Sequence, residues 1–459
     1  MNRKCIELNA NKFSSIDTLK EYHKCIIINL AYKLFLKRNP EDKELKLLMS
    51  KFRTKIDINE LQQIIKESKK IYKKQLYLDI SELVQKDAKT GIQRVVRSIL
   101  MELLKNPPKE YDIQPVYATL NDDYRYATNF TNKFLGHDKS LVEDQYIECQ
   151  EGDIFFLLDM QPQVQIAKQQ FYKSLKSKRV EVKFLLYDLL SLTMKEYFPQ
   201  GGKERFEKWV IALTTSSNGV VCISDTVAKE YISWHKKNIS TDMENMTVSY
   251  FHLGGDLDNS KPSEGLPGNT NNVLEALKSK PSFTMIGTLE PRKGHKQTFQ
   301  AFEQLWNIGE DVLLVIVGKL GWMMDDFKDK LNNHPQKNKS FFWLEGISDE
   351  YLQKVYELSD CIIAASEGEG FGLPLIEAAQ YKKPIIARDI PIFREVAGNF
   401  AYYFRNNNSP QVLAESIKEW LKLNQDDKHP KSDNMQWLTW EESAKALMEK
   451  LCYSTEETI

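Results

Sequence analysis

Glycines and carboxylates follow an apolar run in the segment CIIAASEGEGFGLPLIEAAQ, which covers residues 361–380. The apolar run predicts a buried strand over residues 361–365, because it is short and nearly continuous. Gly368, Gly370 and Gly372 keep the loop after this strand free of side-chain bulk, so a ligand could approach the backbone closely. The loop is therefore a candidate binding site.

A helix is predicted to begin at Leu373 and Pro374, because proline fits the first turn of a helix. The unpaired N–H groups of that turn and the helix dipole can bind phosphate oxygens. Glu369, in the preceding loop, could accept hydrogen bonds from sugar hydroxyls, and Glu377, about one turn into the helix, could reach a ribose diol. The alternative for both is a structural role, as a helix cap and a surface acid. For Glu367 we expect ordinary surface.

Two cations follow a second predicted strand in the segment FTMIGTLEPRKGHKQ. Gly287, directly after the strand, would permit close approach of a ligand, and Gly294 leads into a predicted helix. Arg292 and Lys293 lie between these glycines, beside the start of that helix, which suits an anion such as a diphosphate. The alternative is a solvated loop whose charges are incidental.

Two further strand ends carry weaker signals. In VLLVIVGKLGW, Gly318 follows a predicted strand and is expected to shape the backbone there, whereas Lys319 is expected to be exposed. In FFWLEGISDEYL, Ser348 is a predicted N-cap for the helix that follows. We interpret that segment as structural, although a loop in such a position could hold a nucleobase.

The sequence gives little indication of a metal site, a nicotinamide-binding site or a nucleic-acid-binding module. Asp256 and Asp258 form a D-x-D sequence, as in metal-dependent transferases of another fold, but a lone D-x-D recurs by chance. We interpret it as the turn that closes the first domain. The seven histidines form no metal-ligand cluster, no GxGxxG follows the first strand, and no basic-aromatic module for nucleic acid is present. We therefore expect no metal.

Short apolar runs alternate with segments of helical period from Leu76 onward, and this pattern predicts two doubly wound α/β units. Ligands of open parallel sheets bind at the carboxyl ends of the strands, so the site is expected in a cleft between the units. A segment rich in Asn, Ser, Pro and Gly, residues 257–272, predicts the linker between them. The predicted parts are a helical extension at 1–72, an amino-terminal domain at 73–260, a carboxyl-terminal domain at 275–435, and a final helix at 436–459. The final helix could pack back on the amino-terminal domain.

The composition points to an ordinary globular protein. The chain has 459 residues and a formal net charge of −1, so nothing draws the whole molecule to nucleic acid or anionic lipid. The six cysteines show no CxxC spacing and are expected to be reduced thiols. With no signal core and no apolar stretch near the ~18–20 residues of a membrane span, a cytoplasmic protein is expected. The Lys-rich segment KESKKIYKK predicts a solvated helix face, with peripheral contact to an anionic membrane or a partner protein as the alternative.

These motifs resemble the retaining glycosyltransferases of family 4, which have the GT-B fold. EGFGLPLIE has the E-x(7)-E spacing of that family, and GTLEPRKGH and RDIPIFREVAG occur in the family's order and separation. In the first half of the chain, YDLLSLTMKEYFP, CISDTVAKEY and DAKTGIQRVVRSIL are similar to the bacterial mannosyltransferase-like branch. The resemblance spans residues 76–451 and leaves the helical extension unexplained.

The resemblance implies roles for the charged residues of the second half. Arg292 and Lys293 would bind the donor diphosphate and stabilise its departure, while Glu369 would contact the donor sugar and Glu377 the ribose. Backbone amides at the start of the helix would face the phosphates. The donor-binding residues implied are Gly287, Arg292, Lys293, Gly318, Glu369, Gly370, Phe371, Gly372, Leu373, Pro374 and Glu377.

The resemblance also implicates three residues of the first half. Gly91 would lie where the first loop enters its helix, close to the donor phosphates or the acceptor. Tyr187 and Asp188 stand where many members have His-Asp, and the histidine of those members contacts the donor sugar. The phenol of Tyr187 either keeps that contact or loses it. Asp188 is implied to be catalytic, binding the acceptor or the sugar, with a structural role as the alternative.

The implied reaction is retaining transfer of a hexose from a nucleotide sugar to a glycan or lipid-linked glycan, in surface polysaccharide synthesis. GDP-mannose is the first donor expected, and a UDP- or dTDP-sugar is the alternative. No cofactor is required, because Arg292, Lys293 and a helix N-terminus can replace Mg²⁺. Three residues of RDIPIFREVAG could choose the base or hold structure: Pro391, Arg394 and Glu395. A different function, a non-catalytic nucleotide-sugar-binding subunit or scaffold, is the alternative to an enzyme.

Overall fold

A computed structural model gives the fold of most of the chain. The predicted helical extension lies almost wholly outside the described residues, as does half of the predicted linker. The chain divides into one unit of residues 1–74 and 109–112 and a second unit that holds the rest. All the side chains discussed below belong to the second unit. The described residues are 27–29, 73–88, 90–137, 142–239, 246–256, 264–268 and 270–452.

Seven strands form the sheet of the amino-terminal domain. They are β1 (Lys74–Asp79), β2 (Tyr111–Thr119), β3 (Asp122–Tyr126), β4 (Ile154–Leu157), β5 (Glu181–Leu186), β6 (Gly219–Cys222) and β7 (Thr247–Tyr250). Their order across the sheet is β3-β2-β1-β4-β5-β6-β7. From β1 through β4, β5 and β6 to β7 each pairing is parallel, while β2 and β3 are antiparallel. The loops that follow the parallel strands therefore gather at one edge of the sheet.

The helices of this domain, numbered over the described residues, begin at recognisable caps. Thr90 accepts a hydrogen bond from the backbone N–H of Gln93 and completes a capping box with it, and Ser224 accepts one from the N–H of Val227. A 3₁₀ turn covers Lys195–Tyr197. The helices are α1 (Ser81–Gln85), α2 (Gly91–Lys105), α3 (Thr128–Phe134), α4 (Pro162–Ala167), α5 (Gln169–Ser177), α6 (Leu190–Thr193), α7 (Gly202–Ser216) and α8 (Asp225–Asn238).

Six strands form the sheet of the carboxyl-terminal domain. They are β8 (Ser282–Ile286), β9 (Leu313–Val317), β10 (Phe341–Leu344), β11 (Cys361–Ala364), β12 (Ile385–Arg388) and β13 (Tyr402–Phe404). Their order is β10-β9-β8-β11-β12-β13, and every pairing is parallel. Strands β8 and β11 are neighbours in the centre, so the loops that follow them meet.

Eight further helices are described in the second half of the chain. Ser348 caps one of them as predicted, since its hydroxyl accepts a hydrogen bond from the N–H of Tyr351. A 3₁₀ turn covers Pro291–Lys293. The helices are α9 (Thr270–Ser279), α10 (His295–Asn307), α11 (Asp325–Asn332), α12 (Asp349–Leu358), α13 (Leu373–Gln380), α14 (Pro391–Ala397), α15 (Pro410–Gln425) and α16 (Trp440–Cys452).

The central strands are apolar on both faces because helices cover both faces of each sheet. Every residue of β4 (IFFL) and of β9 (LLVIV) is buried. Full burial of each such side chain contributes roughly 1.5–3 kcal/mol. The predicted pair of doubly wound α/β domains is therefore confirmed.

Helix α16 packs against α2 and β7 of the amino-terminal domain. Lys183 of β5 is only 2 % exposed, and its Nζ donates to the carbonyls of Lys450 and Leu451 at 3.2 and 3.1 Å. At the other end of the helix, the carboxylate of Asp256 accepts a hydrogen bond from the N–H of Trp440 at 2.6 Å. A cation at the carboxyl end and a carboxylate at the amino end both complement the helix dipole.

The remaining general expectations concern the membrane and the cysteines. Among the described residues, no helix combines the length and the apolar character needed to cross a membrane. Cys149, Cys222 and Cys361 are free thiols, as expected. The expected contact of the helical extension with a membrane or a partner lies outside the described residues.

Candidate active site

Arg292, Lys293 and Glu369 form one charged cluster where β8 and β11 end. Nζ of Lys293 lies 2.6 Å from Oε1 of Glu369, and Nη1 of Arg292 lies 3.4 Å from Oε2. The hydroxyl of Ser366 donates to Oε1 at 2.7 Å, and Nη2 of Arg292 pairs with Glu290 at 3.1 Å. Lys293 is the most exposed member of the cluster, at 19 % of its side chain. The structure thus brings together three residues predicted for the site: Arg292, Lys293 and Glu369.

The turn that carries the two cations is pressed onto the end of β11. Gly294 has a φ of 79°, and a Cβ atom there would lie 2.3 Å from the carbonyl oxygen of Ala365. The carbonyl of Arg292 accepts from the N–H of Glu367 at 2.8 Å, and its Nη1 donates to the carbonyl of Gly368 at 2.9 Å. Glycine at position 294 is therefore required for the cations to reach the acidic loop.

The cluster shifts the pKa values of its carboxyls in opposite directions. Burial opposes the ionisation of Glu369, but Lys293 and Arg292 outweigh it and hold the pKa of Glu369 at about 2. Burial raises the pKa of Glu290 and of Asp188, against the opposing effect of Arg292. The site thus holds one firmly ionised carboxylate and two acids that release their protons less readily.

Helix α13 begins beside this cluster without a side-chain cap. Gly372 has a φ of 95°, and Pro374 lies in the first turn. A small cavity at this point is lined by residues that include Lys293, Glu369, Gly372, Pro374 and Phe393. The positive end of the helix dipole and the cluster therefore face the same space, an arrangement that suits an anion.

Gly368 and Gly370 leave room for the amino-terminal domain. A Cβ atom on Gly370 would lie 2.1 Å from the carbonyl oxygen of Tyr187, and one on Gly368 would lie 2.5 Å from Sδ of Met194. The hydroxyl of Ser224 also donates to the carbonyl of Gly370 at 2.8 Å. We expected these glycines to make room for a ligand, but their close neighbour is the other domain. A donor contact of Gly370 remains a prediction.

Tyr187 and Asp188 are directed into different surroundings. The phenol of Tyr187 is buried and donates to the carbonyl of Leu158 at 2.9 Å. The phenol is thus engaged inside its own domain, which favours loss of the contact with the donor sugar over its retention. The carboxylate of Asp188 accepts from the N–H of Leu190 at 3.0 Å and interacts electrostatically with Arg292. Asp188 therefore belongs to the surroundings of the charged cluster.

Glu377 lies in an ion pair that joins the two domains. Nη1 of Arg94 in α2 donates to Oε1 of Glu377 at 2.5 Å, and the hydroxyl of Tyr356 donates to Oε2 at 2.5 Å. Only 2 % of the Glu377 side chain is exposed. The acid expected to face a ribose is thus engaged by Arg94, which lies in the segment DAKTGIQRVVRSIL but was not itself a predicted site residue. The available signal was its position three residues after Gly91, in the same helical turn.

Gly287 and Gly318 pack against each other at the ends of β8 and β9. Gly287 has a φ of 146°, and a Cβ atom on Gly318 would lie 1.9 Å from the Gly287 carbonyl oxygen. The N–H of Gly287 donates to the carbonyl of Val317 at 2.9 Å. Glycine at 318 is therefore required by packing, and a donor contact of Gly318 remains a prediction. Lys319 is exposed, as expected.

Glu367 bridges the two domains and is not the ordinary surface acid that we expected. Its Oε2 accepts hydrogen bonds from the hydroxyl of Tyr197 at 2.6 Å and from Nδ2 of Asn408 at 2.7 Å. The indole Nε1 of Trp322 donates to the carbonyl of Tyr197 at 2.7 Å. The expectation was wrong because the loop after β5 lies against three loops of the carboxyl-terminal domain, and no local pattern reveals that contact.

Glu395 of α14 holds the start of α8 in the other domain. Its Oε1 accepts from the N–H of Asp225 at 2.8 Å and lies 2.7 Å from Nε2 of His252, and its Oε2 accepts from the N–H and the hydroxyl of Thr226. Burial opposes ionisation, but these bonds outweigh it and hold the pKa of Glu395 at about 2. Of the two roles considered for Glu395, this geometry favours the structural one.

Asp159, at the end of β4, is a buried acid outside the cluster. Its Oδ2 accepts from the N–H of Leu83 at 2.7 Å and its Oδ1 from the N–H of Met160 at 2.8 Å. Only 3 % of the residue is exposed, and burial raises its pKa to about 7. These bonds give Asp159 a structural role in fixing the loop after β1.

The other residues considered for the site lie in varied surroundings, and the roles expected for Gly91 and Phe371 remain predictions. A Cβ atom on Gly91 would have nothing within 4 Å, so the start of α2 faces open space. The ring of Phe371 packs edge-on against His252, with 5.5 Å between centroids. Asp256 caps α16, and Asp258 lies outside the described residues. In the part of the chain that the structure describes, no group of three His, Cys, Asp or Glu side chains could hold a metal ion.

Comparison with solved structures identifies the fold. The structure of HepE from Anabaena in complex with UDP and glucose has a TM-score of 0.55 at 14 % identity, covering 83 % of this chain and 99 % of that one. Sucrose-phosphate synthase from Thermosynechococcus elongatus has a TM-score of 0.56 at 13 % identity, covering 82 % of this chain and 98 % of that one. The predicted GT-B fold is therefore confirmed.

The carboxyl-terminal domain is similar to a known family. Residues 269–437 match the model of Glycosyl transferases group 1, and the charged cluster and α13 lie within the matched segment. The chain is similar to the serotype-specific mannosyltransferase WbdA of Escherichia coli, at 42 % identity over 390 residues. That similarity covers 84 % of this chain and 46 % of WbdA, so the chain spans slightly less than half the length of this relative.

Proposed function

We propose that this protein is a retaining glycosyltransferase of family 4 that transfers mannose from GDP-mannose to a glycan or lipid-linked glycan acceptor, in the synthesis of a surface polysaccharide. The observation that carries the proposal is the contact of Lys293 and Arg292 with Glu369 beside the uncapped start of α13. The family match of residues 269–437 and the similarity to WbdA support it.

The two cations and the helix start would neutralise the leaving group. A nucleoside diphosphate departs with negative charge, and groups fixed in place before the reaction stabilise that charge best. Lys293 and Arg292 are already held on one side by Glu369 and Glu290. The removal of one such fixed donor typically costs about 10²–10³-fold in rate. In this proposal the cations make a metal unnecessary.

Glu369 would contact the donor sugar as a permanently ionised acceptor of hydrogen bonds. Its pKa of about 2 keeps it ionised at neutral pH. Hydrogen bonds to an ionised acceptor are roughly twice as strong as those between neutral groups. Sugar hydroxyls could therefore be held firmly while the bond to the diphosphate breaks.

The proposed reaction retains the configuration at the sugar C1 atom. The bond from C1 to the diphosphate oxygen breaks, and the acceptor hydroxyl oxygen forms a new bond to C1 from the same face. The hydroxyl proton passes to a diphosphate oxygen, and GDP leaves. Asp188, which interacts with Arg292, would orient the acceptor or the sugar.

Mannose is proposed as the sugar because the relative WbdA is a mannosyltransferase. A glycan or lipid-linked glycan is proposed as the acceptor because such acceptors suit this class of reaction. A UDP- or dTDP-sugar is the alternative donor. We place the reaction at the cytoplasmic face of the membrane. The helical extension at residues 1–72 is the candidate for peripheral contact with the membrane or with a partner protein.

The test is turnover by the purified protein with GDP-mannose, UDP-sugars and dTDP-sugars, with and without glycan acceptors. We expect release of GDP from GDP-mannose, slow without acceptor and fast with a suitable one. Glu369→Gln should abolish release while keeping the fold, since Gln has nearly the same shape as Glu. A protein that binds these nucleotides, as shown by a raised melting temperature, but neither transfers nor hydrolyses any of the sugars would be a binding subunit and not an enzyme.

A further inference from the structure

Arg94 is the residue of the amino-terminal domain that reaches the acid assigned to the ribose. It lies in the first turn of α2, whose start is fixed by the capping box of Thr90 and Gln93. From there Nη1 spans the domain boundary to Oε1 of Glu377. Helix α2 also packs against α16 within its own domain, so the arginine projects from a firmly held element.

Glu377 is held from both sides and is not free to turn. Its Oε2 accepts from the hydroxyl of Tyr356, whose ring is buried and stacks on Tyr381 with 5.3 Å between centroids. Its Oε1 accepts from Arg94. Each carboxylate oxygen has a second lone pair, so both oxygens can still accept a hydrogen bond from a ligand hydroxyl.

Arg94 has a donor that the protein does not use. Its Nη2 atom is buried and has no hydrogen-bond partner. A buried donor left without a partner is destabilising. The space next to Gly91, three residues earlier in the same helical turn, is open. A ligand enclosed when the two domains meet could supply the missing acceptor.

We infer that Arg94 is a donor-binding residue, and that a ribose hydroxyl of the nucleotide sits between Nη2 of Arg94 and the carboxylate of Glu377. A hydroxyl suits this place because it can donate to the carboxylate and accept from the guanidinium at the same time. The inference rests on the proposed function, since it assigns Glu377 to the ribose. The nucleotide would then be held by residues of both domains.

The charges around Arg94 agree with the nucleoside end of the donor. Burial works against the charge of the guanidinium, but Glu377 outweighs it and raises the pKa of Arg94, with Asp349 contributing in the same direction. Asp349 begins α12, after the strand end where a nucleobase was considered. Arg292 and Lys293 contact Glu369 instead, in the loop that precedes α13. Arg94 and the cationic pair therefore serve separate parts of one ligand.

The experiment measures GDP binding by titration calorimetry for the wild type, Arg94→Met, Arg94→Lys and Arg97→Met. Arg97 is the matched control because it lies on the same helix, pairs with Asp87 and makes no described contact with Glu377. We expect Arg94→Met to weaken GDP binding about tenfold or more, as the loss of one charge-assisted hydrogen bond would do. Arg97→Met should bind GDP as the wild type does. Arg94→Lys keeps a charge opposite Glu377 and so checks that a loss does not come from misfolding.

A second ligand, 2′,3′-dideoxy-GDP, tests the role of the diol. The wild type should bind 2′,3′-dideoxy-GDP more weakly than GDP. In Arg94→Met the difference in affinity between the two ligands should be much smaller, because the substitution and the removal of the diol eliminate the same interaction. Binding of GDP by Arg94→Met and Arg94→Lys at wild-type strength or tighter would overturn the inference. So would an equal loss for both ligands in Arg94→Met, which would place Arg94 away from the diol. Failure of the wild type to bind GDP, UDP or dTDP would instead overturn the proposed function.

Discussion

Nζ of Lys293 and Oε1 of Glu369 lie 2.6 Å apart, although 76 positions separate the two residues in the chain. They meet because β8 and β11 are parallel neighbours whose following loops leave the sheet at the same edge. Glu369 is also held by Ser366 and lies beside the start of α13. The contact therefore joins the two segments that the sequence indicated separately.

Arg292→Ala should reduce the rate of sugar transfer by about 10²–10³-fold, because a fixed cation at the departing diphosphate is lost. The measurement is kcat and KM with GDP-mannose. Arg179→Ala is the control, since Arg179 is exposed, pairs with Glu151 at the surface and belongs to no part of the site. A near-normal kcat in Arg292→Ala would remove Arg292 from the mechanism.

Asp188→Asn should bind GDP more tightly than the wild type while transferring sugar more slowly. The carboxyls of Asp188, Glu290 and Glu369 outnumber the two cations of the cluster, and the variant removes one negative charge near the diphosphate. Burial raises the pKa of Asp188, so in the wild type the acid ionises and repels the diphosphate as the pH rises. The affinity for GDP should therefore fall as the pH rises above the usual pKa of an aspartate, more steeply in the wild type than in the variant. Parallel pH curves would contradict this account.

Gly370→Ala should hold the domains apart and lower kcat, while the carboxyl-terminal domain still binds GDP. The added methyl group would meet the carbonyl oxygen of Tyr187, which leaves it no room. Small-angle X-ray scattering should show a larger radius of gyration for the variant. Gly268→Ala is the control, because a Cβ atom at Gly268 would have no neighbour within 4 Å. An unchanged radius and rate would mean that the domains need not meet at this loop.

Asp159→Asn should change how stability depends on pH. Burial raises the pKa of Asp159 from 3.8 to about 7, so the proton favours the folded state. Its contribution is fully present below about pH 4 and is lost as the pH rises through about 7, a loss on the order of 4 kcal/mol. Residue 159 of the variant cannot ionise. The free energy of unfolding should therefore fall less with rising pH in the variant than in the wild type. Urea unfolding at several pH values measures the difference, and a constant difference would show that Asp159 does not titrate there.

Lys183→Met should lower the free energy of unfolding by roughly 1–3 kcal/mol, because two carbonyls at the end of α16 lose their charged donor. Methionine keeps much of the length and bulk of the lysine. Glu181 pairs with Lys183 at 2.8 Å but is 37 % exposed, so Glu181→Gln should cost less than about 1 kcal/mol. Urea unfolding of both variants compares the two contacts. Equal losses would show that the ion pair, and not the helix end, is what Lys183 stabilises.

The fold could be predicted from the sequence because its signals are local and repeated. Runs such as LLVIV are apolar on both faces and alternate with helical segments, which favours parallel sheets covered on both sides. In a parallel sheet, the residues that follow each strand lie at the same edge of the sheet. Arg292, Lys293 and Glu369 were singled out for that reason, and the structure brings them together.

The contacts between the domains could not be predicted, because they depend on how two separately folded surfaces meet. Glu367 binds Tyr197 of the other domain, and Glu377 binds Arg94 from 283 positions away. No periodicity in the sequence encodes such distances. The direction of the Tyr187 phenol was likewise undetermined, since a residue at a strand end can point into its own domain or out of it.

The position of α16 affects the order in which the chain can fold during its synthesis. The helix is made after the whole second domain, yet it covers α2 and β7 of the first. Until residue 452 has left the ribosome, that face and the ammonium group of Lys183 remain uncovered. Domains usually fold one by one as they emerge. Of the two domains, the amino-terminal one therefore emerges earlier but is completed later, and the surface that α16 will cover stays open to a chaperone that binds exposed apolar groups.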